Sequence, residues 1–143
     1  MRVRPWAEFR SDLPTDTIET PDEIVQVGGR TVAEAIGELL ARLGCKVDAA
    51  VLEGENGWQF MAITRRCRMM CQVAHIERFL FLLEDTSFFN RVLKRYSPVY
   101  LDILSRLAEE LARDPRFHDI EWYFSNEVLS GKAGAPMPVS VED

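Results

Sequence analysis

The sequence predicts an α+β fold in which an antiparallel sheet packs against two helical segments. Residues 45–84 contain stretches in which apolar and polar residues alternate with the period of half-buried strands. The turns between these stretches are too short for a parallel crossover, so the strands must run antiparallel. Apolar residues recur at helical spacing before residue 45 and after residue 86. These patterns predict two helices on one face of a sheet of four or five strands.

Length and composition predict one folded domain. With 143 residues, of which 47% are hydrophobic and 28% charged, the chain has the balance of a globular protein. The net charge of −6 disfavours phosphate backbones and anionic membranes as partners. Three cysteines, an odd number, fit reduced thiols in a cytoplasm better than a disulfide framework. We expect no membrane segment, because the longest apolar run, Phe79 to Leu83, is too short to span a bilayer.

The two ends of the chain are predicted to lie outside this domain. Residues 11–23 contain five acids and no base and are interrupted by Pro14 and Pro21. We therefore assign residues 1–23 to an exposed acidic N-terminal arm and residues 24–124 to the α+β domain. Residues 125–143, which are rich in glycine, proline and small polar residues, are assigned to a flexible C-terminal tail.

The first helix has the clearest predicted ends. A short strand at Ile24 to Val27 and a Gly28-Gly29 turn precede it. Thr31 and Glu34 have the spacing of a capping box, which predicts that the helix begins there. Its apolar stripe ends at Leu43, and Gly44 can take the left-handed conformation that stops a helix.

Four strands are predicted as a meander, at residues 45–51, 58–64, 69–74 and 79–84. The last of these is apolar on both sides, which indicates a central strand or one with a covered outer face. Ser87 begins the second helical segment, and Pro98 breaks it and restarts it near its first turn. Asp114-Pro115 ends it, and Ile120 to Phe124 can add a short strand at the sheet edge.

The face of the sheet away from the helices is predicted to be too apolar for full exposure. Its expected residues are Gln59, Met61, Ile63, Met70, Leu80 and Leu82. A second copy of the chain or a protein partner would cover such a face, so we predict a homodimer or a complex.

Three groups that could carry soft-metal or nucleophilic chemistry, Cys67, Cys71 and His75, are spaced by four residues. On a helix they would stack on one face, whereas on a strand each step of four covers about 13 Å, too far for one metal ion. Because we predict a strand, we assign no metal, no cofactor and no catalytic residue. A small enzyme or ligand-binding protein that uses Cys67, Cys71 or His75 in a pocket between the sheet and the helices remains an alternative.

A further alternative is nucleic-acid binding. Arg65, Arg66 and Arg68 cluster at a predicted hairpin tip and are candidate anion contacts, and a second basic cluster lies at residues 91–95. The overall negative charge disfavours this interpretation.

The sequence predicts the function less directly than the fold, because no motif in it identifies a protein family. In size and charge the chain is similar to small acidic chaperones, immunity proteins and adaptors, a likeness that does not carry function. We interpret it as a non-enzymatic protein-binding module of a bacterial-type cytoplasm. Its expected partner is basic, and the expected contacts are Asp12, Asp16, Glu19, Asp22, Glu23 and an exposed Tyr123.

Overall fold

A computed structural model describes residues 1–87, 93 and 95–141. Within this part of the chain, two α-helices pack against a seven-stranded antiparallel sheet, which confirms the α+β class. The sheet is larger than the four or five strands predicted, and the meander prediction is wrong in extent. One additional strand comes from the N-terminal segment, and residues 46–52 form two short strands rather than one.

The elements are as follows: β1 (Arg2–Val3), β2 (Trp6–Ser11), β3 (Ile18–Glu19), β4 (Ile24–Gln26), α1 (Arg30–Arg42), β5 (Lys46–Val47), β6 (Val51–Leu52), β7 (Trp58–Ile63), β8 (Arg68–Ile76), β9 (Arg78–Asp85), α2 (Pro98–Arg113), β10 (Phe117–Tyr123) and β11 (Val139–Ser140). A 3₁₀ turn at Gly54–Asn56 precedes β7.

The strand order in the main sheet is β10-β2-β9-β8-β7-β5, and β6 also pairs with β7. The hairpins β7–β8 and β8–β9 confirm the predicted pleated region. Strand β9 is central, as its two apolar faces indicate, because β2 pairs with its other side. Strand β10 joins the edge of the sheet next to β2, where the sequence allows a short final strand.

Both helices pack on one face, called here the inner face. Helix α1 contacts β5, β7 and β8, while α2 contacts α1 and β10. Alternation along the strands directs Phe9, Phe60, Cys71, Phe81 and Trp122 into this layer, where all are buried. Neither helix in the described residues combines the length and apolarity that crossing a membrane requires.

Helix α1 does not begin with the predicted capping box. Gly29 is the N-cap residue and no side chain at that position caps the helix. Instead, the carboxylate of Asp16 accepts a 2.8 Å hydrogen bond from the Thr31 amide, and Glu34 pairs with Arg30. The predicted end is confirmed, because Gly44 has φ 101° and its amide and that of Cys45 bond back to Ala41 and Leu40.

Helix α2 begins where the proline predicts. Ser97 is its N-cap, and its hydroxyl accepts a hydrogen bond from the Tyr100 amide while Pro98 occupies the first turn. Asp114 is the C-cap. The helical segment predicted between Ser87 and Tyr96 lies mostly outside the described residues.

The opposite, outer face carries the side chains that the sequence assigns to it. Gln59, Met61, Ile63 and Met70 are partly exposed there. Leu80 and Leu82 are each 7% exposed within a single chain, since Leu82 lies between Trp6 and Gln72 of the neighbouring strands. The uncovered apolar surface is therefore smaller than the sequence indicates, and the homodimer stays a prediction.

The segment after Phe124 returns to the body of the protein. Trp122 and Ala135 exchange two backbone hydrogen bonds of 2.8 Å, and the Arg4 amide donates to the Pro138 carbonyl at 2.7 Å. Strand β11 then pairs with β1. The flexibility predicted for residues 125–143 stays a prediction, which these contacts make testable.

Candidate partner-binding surfaces

The hairpin β3–β4 is the most unusual surface feature among the described residues. Its two strands pair with each other and form a sheet separate from the main one. Ile18, Ile24 and Val25 are 52%, 51% and 59% exposed. Scattered exposed aliphatic residues are ordinary, but three lie on this one small ribbon. Ile24 and Val25 are successive residues of β4, so each face of the ribbon carries apolar surface.

The base of this hairpin is fixed to one end of the main sheet. Trp58 at the start of β7 donates its indole N–H to the Val27 carbonyl at 3.0 Å. Gly28 bridges to His75 near the end of β8, and the Thr17 hydroxyl lies 3.2 Å from Nδ1 of His75. Gly28 has no room for a side chain, because a Cβ there would lie 2.1 Å from the Thr15 carbonyl oxygen.

Six exposed carboxylates lie on the hairpin and on the turns that precede β7 and β9, next to the strand ends that hold the base of the hairpin. They are Glu19, Asp22, Glu23, Glu53, Glu55 and Glu77. None of the six forms a salt bridge with a residue that the structure describes. The nearby cations are already paired, since Arg30 contacts Glu34 at 3.1 Å and Arg78 contacts Glu8 at 3.3 Å. We call these six carboxylates and the three aliphatic residues the acidic end.

The predicted partner contacts fall into two groups. Glu19, Asp22 and Glu23 are exposed at the acidic end. Asp12 and Asp16 have partners within the chain, because Asp12 lies 2.9 Å from Nε2 of His118 and Asp16 caps α1.

Tyr123 is not the exposed aromatic that the sequence predicts. It is on the outer face, as expected, because its neighbour Trp122 points into the core. However, Tyr123 is only 4% exposed, and its hydroxyl donates to Glu121 at 2.8 Å. The backbone at Gly134 covers the ring so closely that a Cβ there would lie 2.8 Å from it.

The opposite end of the sheet carries the predicted arginine cluster. Arg65, Arg66 and Arg68 are exposed at the β7–β8 turn and form no salt bridge within the described residues. We call these three residues the basic tip. The second predicted basic cluster, at residues 91–95, lies mostly outside the described residues. Strand β8 has nine residues and separates the tip from the acidic end by about 26 Å at the usual rise.

The cysteines and His75 do not form a reactive group. Cys67 and Cys71 are 4% and 0% exposed, and burial raises the pKa of both thiols, that of Cys67 to about 11. Both are therefore protonated at neutral pH and poor nucleophiles. In the described part of the chain neither histidine hydrogen-bonds a cysteine. The same part contains no group of three or more His, Cys, Asp or Glu side chains placed to hold a metal ion.

Two cavities lie beside the C-terminal segment, with volumes of about 400 and 520 Å³. They share Glu8, Arg78 and Leu129 in their walls, so they form one groove on the outer side of the sheet. No cysteine or histidine lines either of them. A further cavity of about 400 Å³ lies between α1 and the sheet, on the side where the sequence placed a ligand pocket, and neither Cys67, Cys71 nor His75 lines it.

Sequence reasoning found the carboxylates of the arm and the arginines of the tip but missed the aliphatic residues between the carboxylates. The sequence does contain a signal for this hairpin, because Pro21-Asp22 is typical turn chemistry and is flanked by Ile18 and Ile24.

Comparison with protein-family models, curated proteins and solved structures finds no match to this chain.

Proposed function

We propose that this chain is a non-enzymatic protein-binding module whose acidic end receives a basic, amphipathic segment of a protein partner. The observation that carries the proposal is the exposure of Ile18, Ile24 and Val25 on a hairpin whose carboxylates lack salt-bridge partners within the described residues. Full burial of one such aliphatic side chain contributes about 1.5–3 kcal/mol, so a partner that covers even one face of the hairpin gains affinity. The carboxylates would attract a basic partner and orient it.

Two features favour this function over the alternatives. A cysteine enzyme needs a thiolate and a neighbouring base, whereas the described thiols are buried with raised pKa values. A nucleic-acid-binding protein needs a continuous basic surface, whereas the three arginines of the tip share the sheet with an acidic end that repels phosphate.

Affinity capture from a lysate of the source organism tests the proposal with two matched variants. The first, Ile24→Thr with Val25→Thr, keeps β-branched residues on β4 but removes apolar surface. The second, Met137→Gln with Glu109→Gln, removes apolar surface and charge at exposed positions away from the hairpin. We expect a basic protein to be retained by the wild type and the second variant and lost by the first.

The captured protein must then bind the purified wild-type chain directly, with an affinity that falls as salt rises, because its carboxylate contacts are screened. Equal recovery by the wild type and the hairpin variant would contradict the proposal. So would direct binding that is insensitive to Asp22→Asn with Glu23→Gln.

A further inference from the structure

We infer that the acidic end of one copy of this chain binds the basic tip of a second copy, so that copies associate head to tail. The inference rests on the proposed function, because it identifies a second copy as a basic partner of the same surface. Both surfaces are present on every copy, and each lacks charge partners within the described residues.

The placement of charge along the sheet carries the inference. The three arginines of the basic tip are exposed where β7 turns into β8, whereas the carboxylates cluster around the other ends of the same strands. The rigid strand β8 holds the two surfaces about 26 Å apart, so they cannot neutralise each other within one copy. This distance also exceeds the Debye length of about 8–10 Å at physiological salt. A second copy would bring the opposite charges into contact.

The basic tip also offers an apolar surface that matches the hairpin. Tyr96 is 46% exposed. It lies at the same end of the sheet, because the neighbouring Ser97 amide donates to Asp85 at the end of β9, and the Thr86 amide donates to the Arg68 carbonyl. The tyrosine ring and the methylene groups of the arginines could cover the exposed aliphatic residues of β3 and β4.

The geometry of such a contact predicts its stoichiometry. Because the two surfaces are different and lie at opposite ends, each bound pair leaves one acidic end and one basic tip free. Association therefore continues beyond a pair, into a filament or a closed ring, unlike a two-fold dimer through the outer face. A hairpin and a turn form a contact smaller than a standard interface of about 1,600 Å², so we expect weak, transient binding.

Sedimentation velocity measures this behaviour on the full chain. At about 20 mM NaCl we expect the mean mass to rise steadily with protein concentration up to about 1 mM, without a plateau at the dimer. At about 500 mM NaCl we expect a monomer throughout, because salt screens the exposed charges. A monomer at low salt and high concentration, or a salt-independent dimer, would overturn the inference.

Charge reversal identifies the two surfaces. One variant carries Glu19→Lys, Asp22→Lys, Glu23→Lys and Glu55→Lys, which leave more lysines than carboxylates at the acidic end. The other carries Arg65→Glu, Arg66→Glu and Arg68→Glu. Each alone has two ends of like charge and should stay monomeric at low salt. An equimolar mixture should associate again, because each variant then offers the other a complementary surface. A variant with all seven substitutions should also associate, since both of its ends are reversed.

The control is Glu109→Lys, an exposed reversal on α2 that should leave association unchanged. Circular dichroism and thermal midpoints establish that every variant is folded. Association of either charge-reversed variant alone, or a mixture that stays monomeric while the wild type associates, would contradict the pairing. If self-association is absent but the hairpin variant still loses a lysate partner, the inference fails and the proposed function stands.

Discussion

At the scale of single residues, Cys67 is one of the three residues spaced by four in the sequence, and the effect of its burial on the thiol pKa can be measured. Burial raises the pKa of its thiol to about 11, and the adjacent Asp85 carboxylate contributes in the same direction. In the unfolded chain the thiol has its ordinary pKa of 9.0. The neutral thiol therefore favours the folded state fully below pH 9, and this contribution is lost as the pH rises from 9 towards 11.

We predict that the difference in unfolding free energy between the wild type and Cys67→Ala is constant from about pH 6 to 8 and shrinks above about pH 9. Urea unfolding at each pH measures it, because the other titrating groups are common to both proteins and cancel. A difference that stays constant to about pH 11 would contradict the raised pKa. Native thiols should also be unreactive towards an aromatic disulfide reagent at pH 8 until the protein unfolds.

At the scale of secondary-structure elements, helix α1 shows how a local pattern can mislead. Thr31 and Glu34 have the spacing of a capping box, yet the amide of Thr31 is satisfied by Asp16, fifteen residues earlier in the chain. Asp16 has φ 62°, which glycine adopts without strain. This position can therefore lose its carboxylate without a backbone penalty.

We predict that Asp16→Gly lowers the free energy of unfolding by about 1 kcal/mol, through loss of the cap. Thr31→Ala should change it by less than about 0.5 kcal/mol, because its side chain does not cap the helix and alanine favours helix. Urea unfolding of the two variants decides between the caps. The reverse order of effects would support the capping box instead of the contact seen in the structure.

The strands show which elements sequence patterns can predict. Hairpins β7–β8 and β8–β9 are predicted correctly, because their alternation is long and their turns are short. Strand β2 has the same alternation, with Ala7 and Phe9 buried, and the same length as β7. Its partners β9 and β10 lie far along the chain, so no short turn identifies it as one strand of a hairpin.

At the scale of the whole molecule, the fold decides where the charged residues of the two candidate surfaces lie. Local sequence patterns cannot assign these residues to a face or an end of the sheet. Composition gives a net charge of −6 but not its distribution. The sequence identifies the acids of residues 11–23 and the arginines of 65–68 separately. It cannot show that β7 and β8 hold them at opposite ends, or that Asp12 and Asp16 have intramolecular partners. Placement by the sheet therefore decides which charges are available to a partner.

The C-terminal segment provides the clearest test of how far the folded body extends. Its composition predicts flexibility, whereas its contacts hold the N-terminus in place: Val3 is 6% exposed, and β11 lies beside β1. Ala133 and Ala135 make a matched pair for hydrogen exchange. The Ala135 amide bonds to the Trp122 carbonyl at 2.8 Å, and the Ala133 amide makes no hydrogen bond with the described residues.

We predict that the Ala135 amide exchanges at least about tenfold more slowly than that of Ala133, relative to their unstructured rates. Deleting residues 136–143 should lower the free energy of unfolding by about 2–3 kcal/mol, because it removes the Arg4–Pro138 hydrogen bond and exposes Val3. Equal exchange of the two alanines together with an unchanged unfolding free energy would establish a flexible tail. Slow exchange at Ala135 would instead extend the folded body to that residue, which pairs with Trp122 of β10. A loss of stability on deletion of residues 136–143 would extend it through β11, which pairs with β1.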